Sequence, residues 1–220
     1  MTRLLVAVKS CQRDRALGHH KTIRQTWGRD IQDFDLLFFT GPGESNNLDE
    51  VTLDVADDYD SLPSKTREIL RYSLQRSYDF TFLCDTDTFL ILRRLLSCGF
   101  ENWDYSGRIG SSPAIGTTFS YKDGRGYTNP NCHPWASGGL GYFLSRKAAE
   151  IVASAESISW AEDLSVGQIL GPFIQMGEII AKDIPDFDAG ISWHYPAHRL
   201  GWDKDVKLAA WMKSMYEAHR

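Results

Sequence analysis

Thr81-Phe82-Leu83-Cys84-Asp85-Thr86-Asp87-Thr88-Phe89-Leu90 is the stretch from which the fold is read. Two carboxylates stand at i and i+2 between two apolar runs, and each run reads as buried strand. Ionised carboxylates in apolar surroundings cost several kcal/mol each unless positive charge compensates them. A divalent cation is the natural compensator, because hard cations prefer carboxylate oxygen, and it would hold a phosphate-bearing ligand. Strand-end aspartates that simply turn the chain toward water are the competing reading of this segment taken alone.

Outward from that stretch the chain alternates. Strands are expected at 4–8, 35–40 and 51–56, and Gly41-Pro42-Gly43 stops the second. Helices are expected at 20–27 and 64–77, the latter with Ile69, Leu70, Tyr72 and Leu74 among charged residues. This β-α-β-α-β order predicts a mostly parallel central sheet flanked by helices, the α/β class. Ligands bind such sheets at the carboxyl ends of the strands, near a topological switch point, and the Asp85–Asp87 pair stands at a strand end. The second half is less regular. Residues 107–134 are rich in Gly, Ser, Thr, Asn, Pro and Tyr, and Gly138, Gly139 and Gly141 precede a helix expected at 146–155. Another helix opens near Trp160 with Glu162 and Asp163 in its first turn, where carboxylates complement the helix dipole. A terminal helix is expected from about Asp203. No repeat or linker divides the 220 residues, so a single domain is expected.

Composition narrows the function. With 42% hydrophobic and 24% charged residues the chain is an ordinary globular protein. A net charge of −5 leaves no basic stripe for nucleic acid. No apolar run has the length of a membrane span, and Met1-Thr2-Arg3 leads directly into the first strand, without a signal peptide. The expectation is a soluble protein, cytoplasmic and of bacterial or viral type, or else the excised catalytic domain of a membrane-anchored enzyme. Cys11, Cys84, Cys98 and Cys132 form no C-x-x-C pair, which excludes a zinc ribbon and points to a reducing compartment, with one or two bridges as the alternative.

Several segments, in order, resemble the β1,3-galactosyltransferase family, related to the fringe and core-1 enzymes. They are Val8-Lys9-Ser10, Lys21 through Gly28, Asp58 through Thr66, Asp85-Thr86-Asp87, His133 through Gly139 with Gly141-Tyr142, and Glu162-Asp163 with Gly167. Thr86 stands where that family has a middle aspartate, and His20 where an arginine is usual. The resemblance implies a GT-A-type fold, a nucleoside-diphosphate sugar donor (UDP favoured), Mn²⁺ or Mg²⁺, and inversion at the anomeric carbon. It implies a nucleotide-sugar-binding half over 1–92 and an acceptor and catalytic-base half over 93–220. The acceptor would be a glycan or glycoconjugate and the bond a β1,3-type linkage.

Residue roles follow from the chemistry of such a transfer. Asp87 should grip the metal, with Asp85 beside it or on donor hydroxyls, and His194 as third ligand; His198 is the fallback. An acceptor hydroxyl needs a general base, for which Asp163 is the first candidate and Glu162 the second. Lys65, Arg24 and Ser10 are candidates for donor binding, and Gly138 and Gly139 for close backbone approach to the donor sugar. Trp103, Tyr121, Tyr127, Trp135 and Trp160 could stack on an acceptor sugar. Two other readings compete. A haloacid-dehalogenase-like Mg²⁺ phosphatase would use Asp85 as nucleophile, Asp87 as acid/base and Glu162-Asp163 for the metal. A non-catalytic nucleotide-sugar-binding module would need none of this chemistry.

Overall fold

Period-two alternation along the strands puts apolar side chains on both faces of one sheet, and the helices cover both. The computed structural model describes residues 2–45, 47–110, 118–120, 126–128, 133–195 and 204–220. Seven strands form the sheet: β1 (Leu4–Lys9), β2 (Asp35–Thr40), β3 (Glu50–Thr52), β4 (Phe80–Asp85), β6 (Tyr105–Gly107), β9 (Tyr142–Ser145) and β10 (Ala181–Asp183). Their order is β10-β6-β9-β4-β1-β2-β3. Neighbours are parallel except at β9, which runs antiparallel to both β4 and β6. The mostly parallel α/β sheet expected from the sequence is therefore present.

On one face Val6, Val8, Phe38, Phe82 and Phe143 pack with Ile23 of α2 (His19–Gln25) and with Leu208 and Met212 of α7 (Lys204–His219). On the other, Leu5, Ala7, Phe39, Leu83, Tyr142 and Leu144 meet α3 (Leu62–Gln75), α5 (Arg146–Ser154) and α6 (Glu162–Gln175). Helix α3 buries Thr66, Ile69, Leu70 and Ser73, the i, i+3, i+4, i+7 set of a single helical face. Each fully buried Leu or Phe contributes about 1.5–3 kcal/mol by its removal from water.

The run on each side of the acidic pair forms a strand, as expected, but the two strands belong to different sheets: the chain leaves the main sheet after Asp85, turns through Thr86-Asp87, and continues as β5 (Thr88–Leu90). Strand β5 pairs antiparallel with β11 (Ser192–His194), with His194 opposite Thr88. Thr88 causes the break, since its hydroxyl accepts from Asp85 N–H at 3.2 Å and donates to the Gly139 carbonyl at 2.9 Å. A short polar helix, α1 (Gln12–Ala16), has no apolar periodicity and was not foreseen. The strand expected at 51–56 is β3, which starts at Glu50 and stops at Thr52. The described residues also include α4 (Leu92–Leu96) and a hairpin of β7 (Thr118–Ser120) and β8 (Gly126–Thr128). No helix among the described residues is long and apolar enough to cross a membrane. Cys11, Cys84 and Cys98 are free thiols; Cys132 lies outside the described residues.

Candidate active site

Strand parity positions the first two charged groups. Lys9 follows Leu5 and Ala7 on the α3/α6 face of β1, and Asp85 follows Leu83 on the same face of β4, directly opposite Lys9 in register. The Lys9 ammonium stands 3.4 Å from Asp85 Oδ1 and donates to Glu162 Oε2 at 2.7 Å. Burial alone would pull the Lys9 pKa down. Asp85 and Glu162 outweigh it and hold the ammonium well above the ordinary lysine range. Lys9 was read only as part of a family segment, yet it joins the aspartate loop to the first turn of α6. An isolated lysine at the carboxyl end of an apolar strand was the signal that could have found it.

The β5–β11 ribbon supplies the third group. Tyr195 N–H donates to the Asp87 carbonyl at 3.0 Å, and Ser192 Oγ donates to the Leu140 carbonyl at 2.6 Å. These ties hold His194 Nε2 at 3.4 Å from Asp87 Oδ2. One ligand atom each from Asp85, Asp87 and His194 lies within 4.8 Å of the others. Atoms bound to one cation at about 2.2 Å must lie within roughly 4.5 Å of each other, so the trio fits a divalent ion with little movement. Two carboxylates and an imidazole are a donor set that suits a divalent cation. Burial, with Asp87 adding to it against the pull of Lys9, holds the Asp85 pKa above the usual aspartate value.

Glycines set the distance to the second acid. A Cβ on Gly138 would meet Asp163 Cβ at 3.1 Å, and one on Gly139 would meet the His194 ring at 3.0 Å. The dipeptide thus lies against the third metal-ligand candidate on one side and the base candidate on the other. Gly138 N–H donates to Asp163 Oδ2 at 3.0 Å and Leu164 N–H to Oδ1 at 2.8 Å. Burial and the neighbouring Glu162 raise the Asp163 pKa, against the lowering by the Gly138 N–H. Asp163 also lines a cavity of about 260 Å³ with Arg108, Gly110, Trp135 and Ser137.

Other candidates are committed elsewhere. Glu162 accepts from Lys9, from Thr66 Oγ1 at 2.8 Å and from the Tyr142 hydroxyl, and it is buried. A carboxylate holding three donors positions helices and is poorly placed to take a proton. Lys65 is only 1% exposed, and its ammonium donates to the Ser10 carbonyl at 2.6 Å and to Asp57 Oδ1 at 2.5 Å. Asp57 also accepts from Gln12 N–H at 2.7 Å and Gly41 N–H at 2.5 Å, so it ties the loops after β1 and β2 together. Arg24 is bidentate to Asp49, at 2.7 Å in both bonds, and reaches Glu50 at 2.8 Å. Ser10 Oγ stands 2.7 Å from His20 Nε2, and His20 Nδ1 stands 3.1 Å from Glu50 Oε1.

Of the aromatic candidates, Trp135 lines the Asp163 cavity and Trp160 packs on Tyr59 at 5.8 Å. Trp103 lies at the amino end of β6, away from the carboxylates, beneath Lys182. Tyr121 and His198 lie outside the described residues, as does the side chain of Tyr127.

No protein-family model matches the sequence, and no curated protein is significantly similar to it. Solved structures are similar in fold. A glycosyltransferase involved in glycosylation of the major capsid of PBCV-1 superposes with a TM-score of 0.53 at 10% identity, covering 97% of this chain and 100% of that one. The fold is GT-A-like. The 4-diphosphocytidyl-2C-methyl-D-erythritol synthase of Anaerococcus prevotii superposes with a TM-score of 0.51 at 8% identity, covering 96% of each chain. At such identities the likeness establishes the fold alone.

Proposed function

We propose that this protein is a metal-dependent inverting glycosyltransferase. It would move a hexose or N-acetylhexosamine from a nucleoside-diphosphate sugar, with UDP favoured, to a hydroxyl of a glycan acceptor. The sequence resemblance favours a β1,3-galactosyltransferase-like linkage. The observation that carries the reading is the convergence of Asp85, Asp87 and His194 at the end of β4, with Asp163 separated from His194 by the Gly138-Gly139 dipeptide.

Asp85, Asp87 and His194 would hold Mn²⁺ or Mg²⁺, which when bound neutralises charge on a departing diphosphate. Asp163 takes the proton of the acceptor hydroxyl as its oxygen bonds to the anomeric carbon and the diphosphate leaves with the bonding electrons. Attack opposite the leaving group inverts that carbon. The raised Asp163 pKa suits proton acceptance, and Gly138 N–H keeps the carboxylate aimed. Lys9 restrains Asp85 and Glu162 together, so the two acidic segments keep their spacing. Trp135, in the same cavity as Asp163, offers an apolar face for a sugar ring.

The phosphatase reading is weakened because Glu162, which it needs for the metal, is held by Lys9, Thr66 and Tyr142. A nucleotidyltransferase is the second reading, supported by the fold likeness to the erythritol synthase. A thermal-shift panel of nucleoside diphosphates, triphosphates and nucleotide sugars, with and without Mn²⁺, tests the assignment, since ligands of the native state raise its melting temperature. A Mn²⁺-dependent shift with a nucleoside diphosphate, followed by diphosphate release from a nucleotide sugar, supports glycosyl transfer. Pyrophosphate release from a triphosphate with a phosphate-ester co-substrate would transfer the assignment to the second reading. No shift with any nucleotide would defeat both.

A further inference from the structure

Thr86 sits between the two carboxylates of the loop, and its hydroxyl is not idle. It donates to Asp14 Oδ2 at 2.5 Å, across 72 positions of sequence. Asp14 comes from α1, which begins three residues after β1 ends; there Cys11 Sγ accepts from Asp14 N–H at 3.4 Å and fixes where the aspartate points. The same Oδ2 stands 3.5 Å from His19 Nδ1. His19 is 3% exposed, and neither of its ring nitrogens makes a hydrogen bond. A buried imidazole without hydrogen bonds is costly. Here it is directed at a carboxylate that already grips the aspartate loop.

We propose that Asp14 is a third acidic member of this site, a positioning residue that sets the Asp85–Asp87 loop for its cation through Thr86. The claim rests on the metal-binding reading given above and adds to it a residue from a separate element. The turn from β4 to β5 leaves the sheet at Asp85, so the spacing of the two carboxylates depends on what holds Thr86. On its amino side Asp85 N–H is tied to Thr88, and on its outer side Thr86 is tied to Asp14. Groups that orient the ligands of a metal are worth about 10–100-fold in affinity when removed. Asp14 brings a negative charge as well. A threonine in the middle of the loop therefore does not leave the loop with two acidic groups around it; the third is delivered from α1.

The test is direct Mn²⁺ titration, by calorimetry or electron paramagnetic resonance, of wild type and of Asp14→Ala, Asp14→Asn, Thr86→Val and Thr86→Ser. Asp14→Ala and Thr86→Val should each weaken Mn²⁺ about tenfold. Their double variant should be little weaker than either alone, because both remove one coupling. Thr86→Ser keeps the hydroxyl and should keep wild-type affinity; Asp14→Asn removes the negative charge, should weaken Mn²⁺ several-fold, and serves if the larger truncations fail to fold. Affinity within twofold of wild type for Asp14→Ala and Asp14→Asn overturns the proposal alone, as does a double variant whose loss is the product of the two single losses. Absence of Mn²⁺ binding by the wild type overturns the metal reading and this proposal together.

Discussion

Two polar clusters flank the carboxyl end of β1, and they are balanced in opposite ways. Around Glu50 the charges cancel: Arg15 donates at 2.9 Å, Arg24 at 2.8 Å and Asn47 at 2.9 Å, with His20 at 3.1 Å, and Asp49 takes the rest of Arg24. Although burial alone would raise it, these partners hold the Glu50 pKa far below the usual carboxylate range. Around Lys9 the charges do not cancel. One ammonium serves Asp85 and Glu162, with Asp87 and Asp163 close by, and burial pushes Asp85 and Asp163 upward. A cluster that has satisfied itself builds the fold. On the proposed reading, the cluster left with excess charge of one sign is the one that receives a cation.

The sharpest way to break this contrast is Asp163→Asn. It preserves shape and an acceptor for Gly138 N–H, so Mn²⁺ and nucleotide binding should persist while transfer falls about a hundred- to ten-thousandfold. Full turnover in that variant, measured under saturating donor, would remove Asp163 from the base role. The mirror experiment is Glu50→Gln. Loss of the carboxylate leaves Arg15 and Arg24 without their buried partner, and unfolding in urea should show a loss of about 3 kcal/mol. Mn²⁺ affinity, measured on the folded variant, should stay within a few-fold of wild type.

Gly139→Ala gives a smaller effect. Its methyl would sit at 3.0 Å from the His194 ring, so the imidazole must move and Mn²⁺ affinity should fall about tenfold. Gly138→Ala would meet Asp163 instead, so it should impair transfer more than metal binding. Equal losses in both measurements for both variants would show that the dipeptide does not separate the two functions.

The pH dependence of stability is the smallest effect, and its sign differs between the clusters. Glu50 contributes stability that is present above its ordinary pKa of 4.5 and is lost as pH falls toward its depressed value. Asp163 acts inversely: its raised pKa favours the folded state below the ordinary value of 3.8, and that advantage disappears as pH rises through the raised value. In metal-free buffer, Asp163→Asn should therefore match wild type near pH 3 and gain on it toward pH 7. Glu50→Gln should lose most at pH 7, with the deficit narrowing in acid. Urea midpoints across that range read both.

What the sequence disclosed follows from how local the cause was. Strand β2 was foreseen at both of its ends because Asp35 through Thr40 is apolar and Gly41-Pro42-Gly43 stops it. The acidic loop was visible because its two aspartates interrupt a run that is otherwise buried. His194 was placed with it by chemical need, and the ribbon of β5 and β11 brings it there. Partners that come from distant segments were not visible. Arg24 and Lys65 were read as donor-binding residues, yet Asp49, Glu50 and Asp57 claim them, and nothing in a single sequence names an ion-pair partner. Asp14 escaped notice because α1 is short and polar, and Lys9 because it was read only as part of a family segment although it stands alone at the end of an apolar strand.

Strand β11 adds a consequence for biosynthesis. All seven strands of the main sheet have been synthesised once Asp183 is added, whereas His194 comes later. A ribosome product ending at Gly190 would carry the complete sheet and both loop aspartates but no imidazole to close the trio. The proposed metal trio would then be completed only after every strand of the sheet has been made, so a polypeptide stopped at Gly190 would have the scaffold without a closed trio.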